Sequence, residues 1–293
     1  MPTIMREAVI SFPMFGDLQL DPPCCFTLFG KTIYFYGVII ALSMILAALY
    51  CARRAPEFGL TSDNLYDILI WVIPLSVIGA RIYYVAFEWD QFAGNFGKMI
   101  AVWEGGLAIY GGVIAGLLTV IVWSRVKKIP MLAVADLMSL GLLIGQAIGR
   151  WGNFMNREAF GGMTDIFCRM GLTLPGSETV YVHPTFLYES LWNFAGLIFL
   201  HIWTKKGKRK YDGQVFWLYV LWYGLGRAWV EGLRTDSLYI GSTDLRVSQL
   251  LALVSAVAAA VILVIKAKKQ PNPAKLYVNT KEEPTEPEEK EVM

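Results

Sequence analysis

The sequence predicts an all-α polytopic membrane protein of about seven transmembrane helices, with a small external head between spans four and five. Two observations carry this prediction. Only 17% of the 293 residues are charged while 55% are hydrophobic, against roughly 25% charged in a soluble domain. The apolar residues also gather into runs close to the length of helix, about 20 residues, that crosses a bilayer core. No run shows the period-two alternation of a membrane β-barrel strand, so the spans are read as helices.

The runs are 33–50, 66–87, 106–123, 131–148, 185–203, 215–230 and 247–265. Lys and Arg follow every odd run: Arg53 and Arg54; Arg125, Lys127 and Lys128; Lys205, Lys206, Lys208, Arg209 and Lys210; Lys266, Lys268 and Lys269. Cytoplasmic loops collect such cations, so the N-terminus is expected outside and the C-terminus in the cytoplasm. This asymmetry accounts for the net charge of +2 and leaves no basic stripe for nucleic acid. Residues 1–20 lack the pattern of a cleaved signal peptide.

Five regions are expected. Residues 1–32, with Phe12, Pro13, Met14 and Phe15, form an external N-terminal interfacial segment. Residues 33–151 hold spans one to four. Residues 152–183, which include Gly161, Gly162, Gly171, Pro175 and Gly176, are too long for a turn and form an external head loop with room for short strands. Residues 184–269 hold spans five to seven. Residues 270–293, rich in Pro, Glu and Lys, form a disordered cytoplasmic tail. The four cysteines show no C-x-x-C pair, so no zinc site is expected. Cys24, Cys25 and Cys168 fall on the oxidising side, where a disulfide is permitted, and Cys51 reads as packing.

Ionisable residues in membrane spans are costly and mark function. Here they gather toward one side. Arg81 lies in the outer half of span two, Arg150 ends span four, His183 and Glu189 open span five, and Arg227 and Glu231 close span six. Guanidinium groups donate paired hydrogen bonds in a fixed fork, which suits the phosphate of a lipid headgroup. The structural alternative is that these arginines pair with Glu189, Glu231 or interfacial phosphates only to fix topology. The stretch Gly149-Arg150-Trp151-Gly152-Asn153-Phe154-Met155-Asn156-Arg157-Glu158-Ala159-Phe160-Gly161 favours binding. Its glycines allow close backbone approach, and Asn153, Asn156 and Glu158 supply donors and acceptors at the water boundary.

That stretch resembles the signature of the prolipoprotein diacylglyceryl transferase family. The likeness extends to Tyr36-Gly37, Gly79-Ala80-Arg81-Ile82-Tyr83-Tyr84-Val85, Gly105-Gly106-Leu107-Ala108-Ile109-Tyr110-Gly111-Gly112, His183-Pro184-Thr185-Phe186-Leu187-Tyr188-Glu189 and Tyr223-Gly224-Leu225-Gly226-Arg227 with Glu231 and Arg234. The resemblance implies a bacterial inner-membrane enzyme. Such an enzyme moves the diacylglyceryl group of phosphatidylglycerol onto the lipobox cysteine thiol of secreted prolipoproteins, leaving a thioether and releasing glycerol phosphate, with no metal or cofactor. Its implied partners are phosphatidylglycerol, prolipoprotein lipobox peptides and membrane lipids. By the same resemblance Arg150, Asn153, Gly161 and Arg227 are essential or lipid-binding, with Tyr36 and Tyr223 nearby; Arg81, Asn156, Glu158 and Glu231 are further candidate contacts to the lipid.

One departure matters. Many members carry a histidine, proposed as the base, where this sequence has Tyr110. A tyrosine with a pKa of roughly 10 is a poor base at neutral pH. Either Tyr110 is activated by neighbouring cations, or it only positions lipid and the base lies elsewhere. His183, with an intrinsic pKa of about 6.5, is the alternative, although it also reads as a residue that orients the helix start before Pro184. A rival class is a transporter or flippase that binds an anionic lipid without chemistry. It predicts internal repeats and broken helices near the midplane, and no repeat is evident. An intramembrane protease lacks support, since neither H-E-x-x-H nor G-x-S-x-G is present.

Overall fold

The structure, a computed structural model, describes residues 5–16, 18–239, 243 and 245–280. Each of the seven apolar runs is a helix: α1 (Phe35–Arg54), α2 (Ser62–Phe87), α5 (Ile109–Lys127), α6 (Met131–Asn156), α7 (Thr185–Lys205), α8 (Gln214–Glu231) and α9 (Val247–Lys268). Two short helices, α3 (Trp89–Phe92) and α4 (Phe96–Ile100), link α2 to α5. Five helices are long and apolar enough to cross a membrane: Phe35–Phe58, Ser62–Phe87, Ile109–Lys127, Met131–Asn156 and Val247–Lys268. The other two, α7 and α8, carry Glu189, Asn193, Arg227 and Glu231, which lower their hydropathy. Large apolar side chains such as Ile70, Ile82, Val113 and Val257 are more than half exposed. A soluble monomer does not expose apolar surface on that scale, so the medium around these helices is lipid and the chain is a polytopic membrane protein.

Two compact units form among the described residues. The first comprises Met1–Tyr50, Met138–Arg209 and Gln214–Pro271. Here β1 (Val9–Phe12) is flanked by β2 (Leu18–Leu20) and β5 (Met170–Thr173), and β6 (Val180–Val182) completes a four-stranded antiparallel sheet in the order β2-β1-β5-β6. Ile10 faces Leu172 in the register, and both are buried with Phe160, Val182 and Phe186 in one cluster. The N-terminal segment, expected at the membrane interface, contributes β1 and β2 to this sheet. Strand β1 alternates half-buried and buried positions because it pairs with the loop after α6. A separate hairpin of β3 (Cys25–Leu28) and β4 (Lys31–Tyr34) leads directly into α1. Cys24, Cys25 and Cys168 are unbonded thiols.

In this unit α7 and α8 are joined by a reciprocal pair of tryptophans. The Trp192 indole N–H donates to the Trp222 carbonyl and the Trp222 indole N–H to the Trp192 carbonyl, each at 2.9 Å. The rings stack at 4.7 Å, and each lies over a glycine of the opposite helix, Trp192 on Gly226 and Trp222 on Gly196, where a Cβ would collide with the ring. Each buried N–H is thereby satisfied and the two helices are held in register.

The second unit comprises Cys51–Leu137, Lys210–Gly213 and Asn272–Met293. Its α2 begins with a capping box between Thr61 and Asn64, two reciprocal bonds of 3.1 Å. Packing of α2 on α5 depends on Gly79 and Gly111. A Cβ on Gly79 would meet the Gly111 carbonyl oxygen at 2.8 Å, and one on Gly111 would lie closer still to the Gly79 carbonyl oxygen. Small residues at such crossings let backbones approach, which is the main source of association in lipid. Residues 270–280, placed by composition in the disordered tail, include α10 (Tyr277–Thr280), whose first N–H donates to Asp212 at 2.9 Å. The rest of that tail, residues 281–293, lies outside the described residues.

Substitution of Gly111 by Val is expected to abolish recovery of folded protein, since two backbones would have to separate. Gly145, inside α6, has nothing within 4 Å of a built Cβ, so Gly145→Ala should leave the melting temperature in detergent unchanged or raise stability by up to about 1 kcal/mol.

Candidate functional site

The site begins where α6 ends. Arg150 and Asn153, three residues apart, share one helix face, and an Arg150 guanidinium N–H donates to the Asn153 side-chain oxygen at 3.3 Å. The helix closes with the Arg157 N–H bonded to the Phe154 carbonyl and the Glu158 N–H to the Asn153 carbonyl, both at 3.1 Å. This is the two-bond termination that usually places glycine in the left-handed region. Here Arg157 occupies it, at φ 48°, and its side chain donates to the carbonyls of Ala8 and Met155 and to Asp21. Burial works against the Arg157 charge and lowers its pKa, while Asp21 opposes that effect. The turn brings Glu158 back onto Asn153, whose side-chain amide donates to it at 2.9 Å.

Beside this turn stands Glu189 on α7, 4% exposed. Arg150 pairs with its Oε2 and Arg227 of α8 with its Oε1 at 3.1 Å, while Arg234 approaches at 3.9 Å. Arg227 also pairs with Glu231, one turn along α8, and Arg234 forks onto Asp236 at 2.9 and 2.7 Å. Burial opposes the charge of both partners of the last pair. Their mutual bond outweighs it, so the Arg234 pKa is raised and the Asp236 pKa is lowered. Three ties set the helices around Glu189: the Trp151 indole donates to Ser190 at 3.2 Å, Ser190 donates to the Ala147 carbonyl at 2.8 Å, and the tryptophan pair joins α7 to α8. Each guanidinium has five N–H donors, and Arg150 and Arg227 each retain some that no described acceptor takes. A narrow crevice beside Arg227 is lined by Glu189, Trp192, Asn193, Tyr223, Gly226 and Val230.

Gly161 closes the loop after α6. Its N–H donates to the His183 carbonyl at 2.9 Å, the next N–H donates to the Leu233 carbonyl at 2.9 Å, and Gly161 bridges to Arg234 as an isolated β-pair. A Cβ there would lie 2.7 Å from the His183 Cβ and 2.9 Å from the Leu233 oxygen. Only glycine fits between these two backbones, and the contact fixes the turn that carries Arg234.

The sequence-predicted residues thus fall into three groups. Arg150, Asn153, Glu158, Arg227 and Glu231 form one polar network through Glu189, and Tyr223 lines the crevice beside it. Tyr36 packs its ring on Gly152, where a Cβ would come within 2.7 Å of it. Asn156 is buried with its side-chain oxygen unpaired among the described residues. Gly161 and His183 form the adjoining backbone contact. The His183 ring approaches the Tyr188 hydroxyl at 3.4 Å and makes no hydrogen bond to the arginines among the described residues.

Arg81 and Tyr110 belong to the second unit. Arg81, expected at a lipid headgroup, instead donates to the carbonyls of Lys98, Met99, Gly105 and Gly106 at 2.6 to 3.0 Å and stacks on Phe92 at 5.0 Å. Four of its five donors are taken up in holding the α4 turn, because a buried arginine must satisfy its own N–H groups. Tyr110 is the second residue of α5. Sequence reasoning named Glu189, the carboxylate at the centre of the site, only as an ionisable residue of span five and a pairing partner of the arginines, and gave neither it nor Arg234 a role in lipid binding. Both stood in the quoted motifs, and the usable signal was that Glu189 is the only acidic residue in the fifth run.

Replacing Glu189 with Leu leaves the guanidiniums of Arg150 and Arg227 facing each other and should cost about 3–5 kcal/mol of stability. Glu189→Gln, which still accepts hydrogen bonds, should cost less; thermal unfolding in detergent distinguishes them. Burial lowers the His183 pKa, so the unfolded chain, titrating near pH 6.5, takes the proton more readily than the folded one. Stability should therefore fall as pH drops below about 6.5, and His183→Gln should flatten that fall in unfolding curves recorded between about pH 7 and 5.

Residues 23–265 match the family model described as prolipoprotein diacylglyceryl transferase. Proteins named phosphatidylglycerol–prolipoprotein diacylglyceryl transferase align along most of the chain. The one from Listeria welshimeri is 44% identical over 265 residues, 88% of this chain and 94% of its own. That from Finegoldia magna is 46% identical over 246 residues, 84% and 95% of the two chains, and that from Lysinibacillus sphaericus 41% over 273 residues, 90% and 98%. With the arginine network in the segments that carry the family's motifs, the chain belongs to the prolipoprotein diacylglyceryl transferase family.

Proposed function

We propose that this chain is the enzyme that transfers the diacylglyceryl group of phosphatidylglycerol to the cysteine thiol of a prolipoprotein lipobox, the first step of lipoprotein maturation. The substrates follow from the names of its relatives. The observation that carries the mechanism is that Arg150 and Arg227 hold opposite oxygens of one carboxylate. Two guanidiniums spaced by a carboxylate are spaced for two oxygens of a phosphodiester as well.

In this reading Arg150 and Arg227 bind the lipid phosphate with the donors that Glu189 leaves unused. Asn153, Asn156, Glu158 and Tyr223 position the headgroup, Glu231 holds Arg227, and Gly161 and Tyr36 fix the turn and the end of α6. The cysteine reacts as thiolate. A carbon–sulfur bond forms at the glycerol carbon of the diacylglyceryl group, the carbon–oxygen bond to phosphate breaks, and glycerol phosphate leaves with the electron pair. The arginines stabilise the charge that grows on the departing phosphate. His183 takes the thiol proton, burial lowering the pKa of its imidazole and so favouring the neutral form, and Tyr110 positions lipid by its hydroxyl. The energy comes from the ester bond of the lipid, so no cofactor is called for.

The seven helices all span the bacterial inner membrane, with the N-terminus and the β-sheet outside and the C-terminus in the cytoplasm. The cations after α1, α5, α7 and α9 support that orientation. Purified chain incubated with phosphatidylglycerol and a lipobox peptide should yield a diacylglyceryl adduct on cysteine by mass spectrometry. Lipid movement between leaflets without any adduct would sink the reading. Arg150→Ala should lower the rate by about 10²–10³ or more while the protein still inserts. Tyr110→Phe is expected to slow turnover modestly, and an unchanged rate would remove that hydroxyl from the reaction.

A further inference from the structure

The crevice beside Arg227 contains a polar side chain to which the transfer mechanism gives no task. Asn193 lies on α7 one turn beyond Glu189, is 2% exposed, and lines the crevice together with Tyr223 and Arg227. Its side-chain oxygen is buried and has no hydrogen-bond partner among the described residues. A buried carboxamide oxygen without a partner is costly, and such a group calls for an occupant. Neighbouring Ser190 shows the contrast, since its hydroxyl is satisfied by the Ala147 carbonyl.

The chemistry of the missing partner is constrained. An amide oxygen accepts hydrogen bonds and cannot donate them. In an anionic glycerophospholipid the phosphate and the acyl esters offer only acceptors, and the arginines already supply donors to match the phosphate. The donors of phosphatidylglycerol are the hydroxyls of its headgroup glycerol. Another acceptor lining the crevice, the Glu189 carboxylate, is engaged by Arg150 and Arg227.

We infer that Asn193 is a specificity-determining residue that accepts a hydrogen bond from a headgroup hydroxyl of the lipid donor, so that the site selects a polyol headgroup over one of equal charge without hydroxyls. The inference rests on the transfer reading above. A site built to bond a substrate hydroxyl disfavours the analogue lacking it, because the protein group is then left buried and unpaired.

The test compares phosphatidylglycerol with phosphatidylpropanol of the same acyl chains, which keeps the phosphate charge and removes both hydroxyls. The purified full chain in detergent is given each lipid with a lipobox peptide, and kcat/KM is measured from the cysteine adduct. The unsubstituted chain should favour phosphatidylglycerol by roughly tenfold. Asn193→Leu and Asn193→Ala should bring that ratio close to one by slowing phosphatidylglycerol alone, with melting temperatures recorded in parallel; the smaller Ala serves if Leu prevents folding. A ratio unchanged in the variants, including an equal loss on both lipids as a contact to the thiol or a structural water would give, overturns the assignment of Asn193 and leaves the transfer reading intact. Absence of adduct from the unsubstituted chain with either lipid overturns the transfer reading and this inference with it.

Discussion

A single buried carboxylate holds two helix-borne guanidiniums from opposite sides, and the rest of the site depends on that arrangement. A carboxylate as buried as Glu189 is costly without cations beside it, and Arg150 and Arg227 could not remain close together without an anion between them. Each makes the other's placement possible. Glu189 also sets the spacing of the arginines before any substrate arrives. Preorganised donors need no rearrangement when charge develops on a leaving group, which is where such groups are most effective. The tryptophan pair between α7 and α8 and the Trp151–Ser190 tie to α6 serve this geometry from outside, since they fix the three helices whose ends carry the charges.

The small sheet has a related role. A left-handed arginine at the end of α6 is an unfavourable choice where glycine is the common one. It persists because Arg157 is held by Ala8, Met155 and Asp21, so the N-terminal segment stabilises the turn that returns Glu158 to Asn153. Gly161 continues the same logic, because its missing side chain lets His183 and the Leu233 turn close on it and aim Arg234 toward Glu189. The sheet is in this sense the outer support of the arginine network.

Polar residues in α7 and α8 lower their hydropathy below that of the other long helices, although each has the length of a membrane span. The deficit arises from the residues that build the site. A helix that holds part of a polar network inside a bundle can carry carboxylates and arginines that a lipid-facing helix cannot. The cost appears in the sequence as lower hydropathy, and the benefit appears only in the folded molecule.

The sequence alone determined the helical runs, since the need to satisfy every backbone group in lipid makes a long apolar stretch a helix whatever surrounds it. It also singled out Arg150 and Arg227 as candidates, because charge at span ends is rare and legible, whereas Asn153 and Gly161 stood out through the family resemblance. Tertiary structure decided which of the cations work together. Arg81 and Arg150 look alike in sequence, yet the carbonyls of Lys98, Met99, Gly105 and Gly106 occupy one while Glu189 leaves the other donors to spare. It also decided that β1 pairs with β5 across more than 150 residues of chain, which four-residue strands cannot announce by periodicity. Local pattern encodes what a segment must bury, and only the packed neighbours fix which hydrogen-bonding groups are already satisfied.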